Sequence, residues 1–273
     1  MHWVTGADGF IGSHLCEKIT NFTKLDESFR PYEYDGQKPE AVFHLGAISA
    51  TTATDTRELA LYNILSSCRM LEWCVENKVP FVYASSASVY GLGNNGFAED
   101  AMMTPVNYYA ISKASFDMFV LQKISDNPDA KIFGLRYFNV YGANEHHKGD
   151  MASPVYKFIK QANETGEIKV FEGSEKYVRD FISVEDIVDV TLAAKEFKNS
   201  GIYNVGTGSP RSFLDVANIV SAHTNARIIE IPFPEHLKGK YQAFTKSNNL
   251  KLLNVYNHVF LTLEQGIEKC INK

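Results

Sequence analysis

The chain has 273 residues and no apolar run approaching the roughly 20 residues that cross a bilayer, which excludes a membrane-spanning helix. It has no long Lys/Arg run: 27 Lys plus Arg stand against 32 Asp plus Glu, a formal charge of −5. Tracking a phosphate backbone or docking on anionic lipid needs a concentrated positive face. Nucleic acid and membrane are therefore excluded as partners. Cysteine is sparse, and Cys16, Cys68, Cys74 and Cys270 form neither a CxxC pair nor a Cys/His spacing that closes a zinc site. All four read as reduced and structural, and no metal is expected. The opening MHWVTGADGF puts a glycine turn where a signal peptide needs its apolar core, so the expected compartment is the cytoplasm. Internal repeats and low-complexity segments are absent. What remains is ordinary globular composition, 45% hydrophobic, at a length for one large domain or two small ones sharing a cleft.

Short apolar, β-rich runs alternate with longer helical patterns. The pattern predicts strands at His2–Thr5, Ala41–Leu45, Phe81–Ser85, Ile132–Phe138 and Ile202–Val205, and helices near Ile11–Asn21, Thr56–Asn77, Tyr108–Ser125 and Val184–Phe197. Several strands are apolar throughout, as expected when helices cover both faces of a parallel sheet. The expected fold class is α/β, a doubly wound, mainly parallel Rossmann sheet. Beyond Gly142 the texture becomes polar and loop-like in EHHKGDMASP and FEGSEKYVRD, and the tail from Pro210 mixes helix with proline-containing loops. These segments suggest a smaller, discontinuous α/β lobe formed by 143–179 and 209–273, beside a nucleotide domain formed by 1–142 and 180–208.

Thr5-Gly6-Ala7-Asp8-Gly9-Phe10-Ile11-Gly12 follows the first strand and opens the first helix. Glycine here permits a tight turn, close approach of backbone to a pyrophosphate, and tight helix–strand packing, while the helix N-terminus supplies amides and positive dipole. A plain structural turn is the alternative, but the position at the first βα junction favours nucleotide binding. A second strand ending in a ribose-reading residue should come next. Only about 20 residues separate Asn21 from Ala41, so at most one short strand fits. SFRPYEYDG offers Phe29–Tyr34, with Asp26, Glu33 and Asp35 as candidate ribose partners or as solvated loop charges.

Strand Phe81–Ser85 runs into Ser86-Ala87-Ser88-Val89-Tyr90-Gly91, and Tyr109-Ala110-Ile111-Ser112-Lys113 follows. On a helix Tyr109 and Lys113 share a face. An ammonium beside a phenol favours the phenolate, lowering its pKa from about 10, and a serine hydroxyl can hold a reacting oxygen. That combination deprotonates a sugar hydroxyl as its hydride leaves for a nicotinamide. YxxxK alone usually means an exposed helix face; the glycine turn and the SSASVYG strand end raise it to a catalytic signature. His146-His147 has no third ligand at a regular spacing and reads as loop polarity. No GxSxG elbow marks a hydrolase nucleophile.

TGADGFIG, FHLGA, ASSASVYG, YAISK and RYFNVYG together resemble the extended short-chain dehydrogenase/reductase family of nucleotide-sugar epimerases and dehydratases. RYFNVYGANEHHKGDMAS, FEGSEKYVRDFISVEDIVDV, SGIYNVGTG and IPFPEHLKGKYQAFT are similar to its branch that inverts C6 of ADP-glycero-manno-heptose. The resemblance covers the chain except 22–40, where the segment of the second strand is shortened. It implies catalytic roles for Ser86, Tyr109 and Lys113, with Lys148 as second acid/base. It implies coenzyme contacts at Gly6, Gly9, Phe10, Ile11, Gly12, Leu45, Gly46, Ala47, Asn63, Tyr109, Lys113, Val140 and Lys148. It implies substrate contacts at Ser86, Asn139, Phe171, Glu172, Gly173, Ser174, Arg179 and Tyr241, with a weaker role for Lys157, which stands where the family more often has histidine.

The implied reaction oxidises C6 to a ketone with bound nicotinamide, then returns hydride to the other face, in a homo-oligomer. A 4-epimerase or 4,6-dehydratase is the enzymatic alternative. A dehydratase usually needs an Asp-Glu pair after the catalytic serine, where this chain has Ala87 and Ser88. A non-catalytic sugar-nucleotide binder is the other alternative. For the coenzyme, Lys24, Arg30 and Lys38 stand beside Asp26, Glu27, Glu33, Asp35 and Glu40. Local charge leans to NAD and the resemblance to NADP. NADP is placed ahead, with NAD as the alternative, because one well-placed Arg30 or Lys38 outweighs carboxylates that point elsewhere.

Overall fold

The computed structural model describes residues 1–26, 29–34, 36–235 and 242–272. Six parallel strands form the central sheet in the order β10-β5-β4-β3-β1-β2. In chain order the first half contains β1 (His2–Thr5), α1 (Phe10–Lys18), β2 (Phe22–Leu25), β3 (Val42–His44), α2 (Thr56–Glu58), α3 (Ser66–Asn77), β4 (Phe81–Ser86) and α4 (Tyr108–Asp126). A π-helical segment, Leu59–Leu65, joins α2 to α3. Then come β5 (Ile132–Tyr137), β6 (Asn139–Tyr141), α5 (Pro154–Thr165), β7 (Glu167–Phe171), β8 (Val178–Arg179), β9 (Phe181–Ser183), α6 (Val184–Ala194) and β10 (Gly201–Val205). The chain closes with β11 (Arg211–Ser212), α7 (Phe213–Thr224), β12 (Arg227–Ile231), α8 (Leu250–Leu253) and α9 (Leu263–Ile271).

The apolar strands follow from burial on both faces. Val4, Phe43, Val82 and Phe133 enter one core with Leu15, Ile187 and Val190 from α1 and α6. Their immediate neighbours Trp3, Val42, Phe81 and Ile132 enter the other with Leu71, Trp73, Phe116 and Val120 from α3 and α4. Successive side chains of a strand point to opposite faces, so a sheet covered twice needs apolar residues at every position. A third core is built from Val155, Phe158, Ile168, Val170, Val216 and Ile267, where α5, α7 and α9 pack around the β7–β12 pair.

One expected strand is corrected. The second strand is Phe22–Leu25, not Phe29–Tyr34, and the later segment holds a single 3₁₀ turn at Pro31–Glu33. Helix α1 stops at Lys18, and Ile19 is already extended, so the next strand starts earlier than a helix running to Asn21 would allow. Pro31 cannot donate to a ladder. Phe29 and Tyr34 instead place their rings edge-on against Trp3, 4.9 and 4.8 Å between centroids, opposite the stacked ring of Trp73. Doubly wound sheets commonly carry a further strand outside this one; here β2 is the edge.

Candidate functional site

Strand β1 lies between β3 and β2, so connections leave it in opposite directions and a crevice opens at the carboxyl ends. Thr5 is level with Leu25 on one side and His44 on the other, which brings the Gly6 and Gly46 turns together. Gly6 has φ +65°, and a Cβ there would come within 2.6 Å of Gly46 Cα; one at Gly12 would come within 1.9 Å of the Gly6 carbonyl oxygen. At Gly9 an added Cβ would meet only the Gly6 oxygen, at 3.2 Å. Gly9 caps α1 without any side-chain hydrogen bond. First-turn amides left without a side-chain partner are what a diphosphate requires, so the residues present fit a dinucleotide.

A cavity of about 970 Å³ extends from this turn. Of the expected coenzyme contacts, Gly6, Gly9, Gly46 and Ala47 form its wall. Phe10, Ile11, Gly12, Leu45, Asn63, Val140, Tyr109, Lys113 and Lys148 are not part of that wall. Asn63 supports the wall, accepting from the Ile48 amide at 2.8 Å and donating to the Ile48 carbonyl at 3.0 Å. The wall also contains Lys24, Asp26, Arg30, Glu58 and Arg69. Asp26 follows the last residue of β2, and the Lys24 ammonium is paired with Asp8 at 2.5 Å. Glu33 and Lys38 do not line the cavity, while Asp35 and Glu27 fall outside the described residues. Glu58, the last residue of α2, and Arg69, on α3, had no sequence signal; only the tertiary fold brings them to this wall.

Ser86 ends β4, its hydroxyl near enough to the Tyr109 phenol to act on that group's pKa, and it accepts from the Ser88 amide at 3.2 Å. Asn107 caps α4 by accepting from the Ala110 amide at 2.8 Å, which starts the helix one turn before the site. Tyr109 and Lys113 are both buried. The expected effect of Lys113 on the phenol is corrected. Burial raises the Tyr109 pKa, with the Ser86 hydroxyl lowering it and Asp117 raising it further. Lys113 instead donates to the Ala84 carbonyl at 2.9 Å. The i,i+4 spacing makes the two Cβ atoms neighbours, but the four-carbon stem carries the ammonium across to β4. Burial lowers the Lys113 pKa to about 8 against the pull of Asp117. The buried hydroxyls of Ser85 and Ser88 have no hydrogen-bond partner among the described residues.

Lys148 lies on the loop after β6, its ammonium 4.5 Å from the centre of the Phe10 ring and 2.7 Å from a Glu145 oxygen. Asn139 starts β6 and accepts from the Thr245 hydroxyl at 3.1 Å. Phe171, Glu172 and Gly173 close β7 and enter a turn, with Ser174 buried beyond it. Phe171 remains partly open and meets Phe233 edge-on at 5.6 Å. Arg179 is buried, donates to the Val178 carbonyl at 3.0 Å and to the Gln242 carbonyl, and lies over the Phe213 ring. Lys157 donates to the Asp150 carbonyl at 2.7 Å. Tyr241 lies outside the described residues. Sequence reasoning missed Gln242, which donates to the Gly91 carbonyl at 2.5 Å and so ties the C-terminal segment to the loop after Ser86. It also missed Asp180, a buried carboxylate that accepts from the Thr207 and Gly208 amides, the Thr207 hydroxyl and the Ser247 amide.

The chain is 40% identical to an ADP-L-glycero-D-manno-heptose-6-epimerase of Alkalilimnicola ehrlichii, covering 90% of this chain and 88% of that protein. It is 37% identical to the enzyme of the same name from Brachyspira hyodysenteriae, covering 97% and 95%. Among solved structures, the Helicobacter pylori ADP-L-glycero-D-manno-heptose-6-epimerase superposes with a TM-score of 0.85 at 27% identity, covering 99% of this chain and 94% of that one. The model of the NAD dependent epimerase/dehydratase family matches residues 3–206. With the glycine cradle at the β1/β3 crevice and Ser86 brought to Tyr109 by β4 and α4, the chain belongs to that family.

Proposed function

We propose that the protein is an epimerase that inverts C6 of an ADP-glycero-manno-heptose through transient oxidation to the ketone. The observation that carries the reading is that β4 and α4 bring Ser86 to the buried Tyr109, with the Lys113 ammonium held on the Ala84 carbonyl of the same strand. The identity to heptose epimerases over nine-tenths of the chain supports the sugar. The nicotinamide coenzyme supplies the hydride acceptor that later serves as donor.

The chain's own groups move protons and hold the sugar. Ser86 holds the reacting oxygen, and Tyr109 exchanges a proton with it. Lys148 serves the second orientation of the ketone, since it approaches from the loop after β6 and Phe10 rather than from α4. Asn139, Phe171–Ser174, Arg179 and Tyr241 hold the nucleotide sugar. An arginine fork suits the diphosphate and an aromatic ring the adenine. The lobe 143–179 with 209–273 is the substrate side of this reading, and 1–142 with 180–208 the coenzyme side.

For the coenzyme we place NADP ahead of NAD. Arg30 and Arg69 are in the cavity wall, and their guanidinium groups would suit the 2′-phosphate of NADP. A homo-oligomer is part of the reading, supported by the apolar side chains of Tyr108, Ile111, Met118 and Leu121 exposed along α4 near Leu61 and Leu65. So is a cytoplasmic setting, supported by four free cysteines. No helix among the described residues is long and apolar enough to cross a membrane.

The test is incubation with ADP-, UDP-, GDP- and dTDP-linked sugars, followed by product mass and C6 configuration. Inversion of ADP-heptose without mass change is expected. Loss of water, or turnover of another sugar alone, would overturn the reading.

A further inference from the structure

His44, the last residue of β3, is buried and has a partner on each ring nitrogen. Its Nδ1 is 2.9 Å from the Thr5 hydroxyl, and its Nε2 is 2.8 Å from the Ser67 hydroxyl on α3. Those partners determine where the ring proton sits. Ser67 donates its own proton to the Asn63 carbonyl at 3.0 Å, so toward His44 it accepts. Thr5 accepts the Gly46 amide at 3.0 Å and passes its proton to the ring. The arrangement that leaves no buried proton without an acceptor is therefore a neutral imidazole carrying its proton on Nε2. Burial and the nearby Lys113 lower the ring's pKa to about 3, in agreement with a neutral ring.

The chain of bonds continues past the ring. Asn63 donates through Nδ2 to the Ser112 hydroxyl at 2.9 Å, and Ser112 donates to the Tyr109 carbonyl at 2.7 Å. Asn63 reaches both partners from the π-helical segment Leu59–Leu65, where the Ser66 amide bonds to the Leu61 carbonyl across the wider turn. One polar thread thus runs from the Gly46 amide on the coenzyme cradle, through His44, to the backbone of Tyr109.

We propose that His44 is a positioning residue for the reaction, coupling the glycine cradle of the coenzyme to the helix turn that carries Tyr109. The proposal rests on the reading of Gly6–Gly12 as the coenzyme turn and Tyr109 as the acid/base. His44 lines the coenzyme cavity and acts through the hydroxyls of Thr5 and Ser67; Ser67→Ala, at a hydroxyl off the cavity wall, separates that route from a direct contact. Replacing the ring with an apolar one leaves the Thr5 and Ser67 hydroxyls partnerless on the side that faced it, so both anchors lose their fixed direction.

The experiment uses the full chain and four variants: His44→Phe, the conservative His44→Gln, and Thr5→Val and Ser67→Ala, which delete one bond each should His44→Phe fail to fold. Calorimetric titration with NADP and NAD is run beside steady-state kinetics, and the ring of His44 is followed by ¹⁵N NMR. The expected result is a coenzyme Kd roughly ten- to a hundredfold weaker in His44→Phe, and roughly tenfold weaker in each single-bond variant. A fall in kcat should accompany the weaker Kd, with partial rescue in His44→Gln. The wild-type ring should show one bound proton on Nε2 and no titration between pH 5 and 8. A proton on Nδ1, a titrating ring, or variants that melt lower yet keep wild-type coenzyme Kd and kcat would overturn the proposal while leaving the functional reading standing. A wild-type chain that binds neither dinucleotide would overturn that reading, and the proposal with it.

Discussion

Lys148 donates at 2.7 Å to Glu145, a carboxylate with no exposed surface. The same carboxylate accepts from the Ser153 amide and hydroxyl at 2.7 and 2.6 Å and from the Gly142 amide at 3.1 Å. Glu145 therefore ties together both ends of the loop that carries Lys148, and the ammonium has one fixed anchor.

Replacing Glu145 with Gln puts an amide among donors, two of which lose their acceptor. The loss expected is roughly 1–3 kcal/mol of stability, together with reduced epimerisation from a displaced Lys148. Thermal unfolding and turnover on the same preparation check this; a variant equal to wild type in both would refute it. Lys148→Ala and Tyr109→Phe are each expected to lower epimerisation roughly 10²–10⁴-fold. If both left the rate untouched, the two-group mechanism would be wrong.

Lys113 gives a pH signature. Its folded pKa of about 8 lies below the ordinary lysine value, so between about 8 and 10.5 the unfolded chain holds a proton that the folded chain has released. Stability contributed by this group therefore rises with pH across that window, and below it the buried charge costs on the order of 3 kcal/mol. Lys113→Met should be inactive yet more stable than wild type at pH 7, with the advantage shrinking toward pH 10. Denaturant melts at several pH values would decide; an advantage that grows with pH contradicts the assignment.

Arg30 and Arg69 in the cavity wall carry the coenzyme prediction. NADP should bind more tightly than NAD, and Arg30→Ala should weaken NADP roughly ten- to a hundredfold while changing NAD little. NAD binding the wild-type chain more tightly would show that Asp26, which follows β2, controls the preference.

Asp117, on α4, and Arg136, on β5, form a buried pair, 2.8 Å from Oδ2 to Nε. Tyr83 donates to the other carboxylate oxygen at 2.8 Å, and the guanidinium also donates to the Tyr90 hydroxyl and the Glu99 carbonyl. Arg136→Met leaves a buried carboxylate uncompensated and should destabilise the protein by about 3–5 kcal/mol. Adding Asp117→Asn should recover part of that loss, because the stranded charge is then gone. A double-mutant cycle in urea measures the coupling; strict additivity of the two losses would count against it.

Five of the six central strands, the glycine turn, and the positions of Ser86 at the end of β4 and of Tyr109 and Lys113 on α4 were legible in the chain itself. These features are local: a run apolar at every position, glycine at a strand–helix junction, and two residues four apart on a helix each state their physics within a dozen residues. Thus β4 and β5 lie where the pattern put them, to within a residue. What the chain alone left open depended on distant groups. Phe22–Leu25 became the second strand because α1 ended early and Trp3 drew Phe29 and Tyr34 onto its ring, a choice made by packing across the sheet edge. The Lys113 ammonium went to Ala84, 29 residues away in sequence, rather than to its helical neighbour Tyr109. The neutral ring of His44 likewise follows from bonds to Thr5 and Ser67, which spacing does not reveal, since only the sheet register and the crossing of α3 bring those hydroxyls to its two nitrogens.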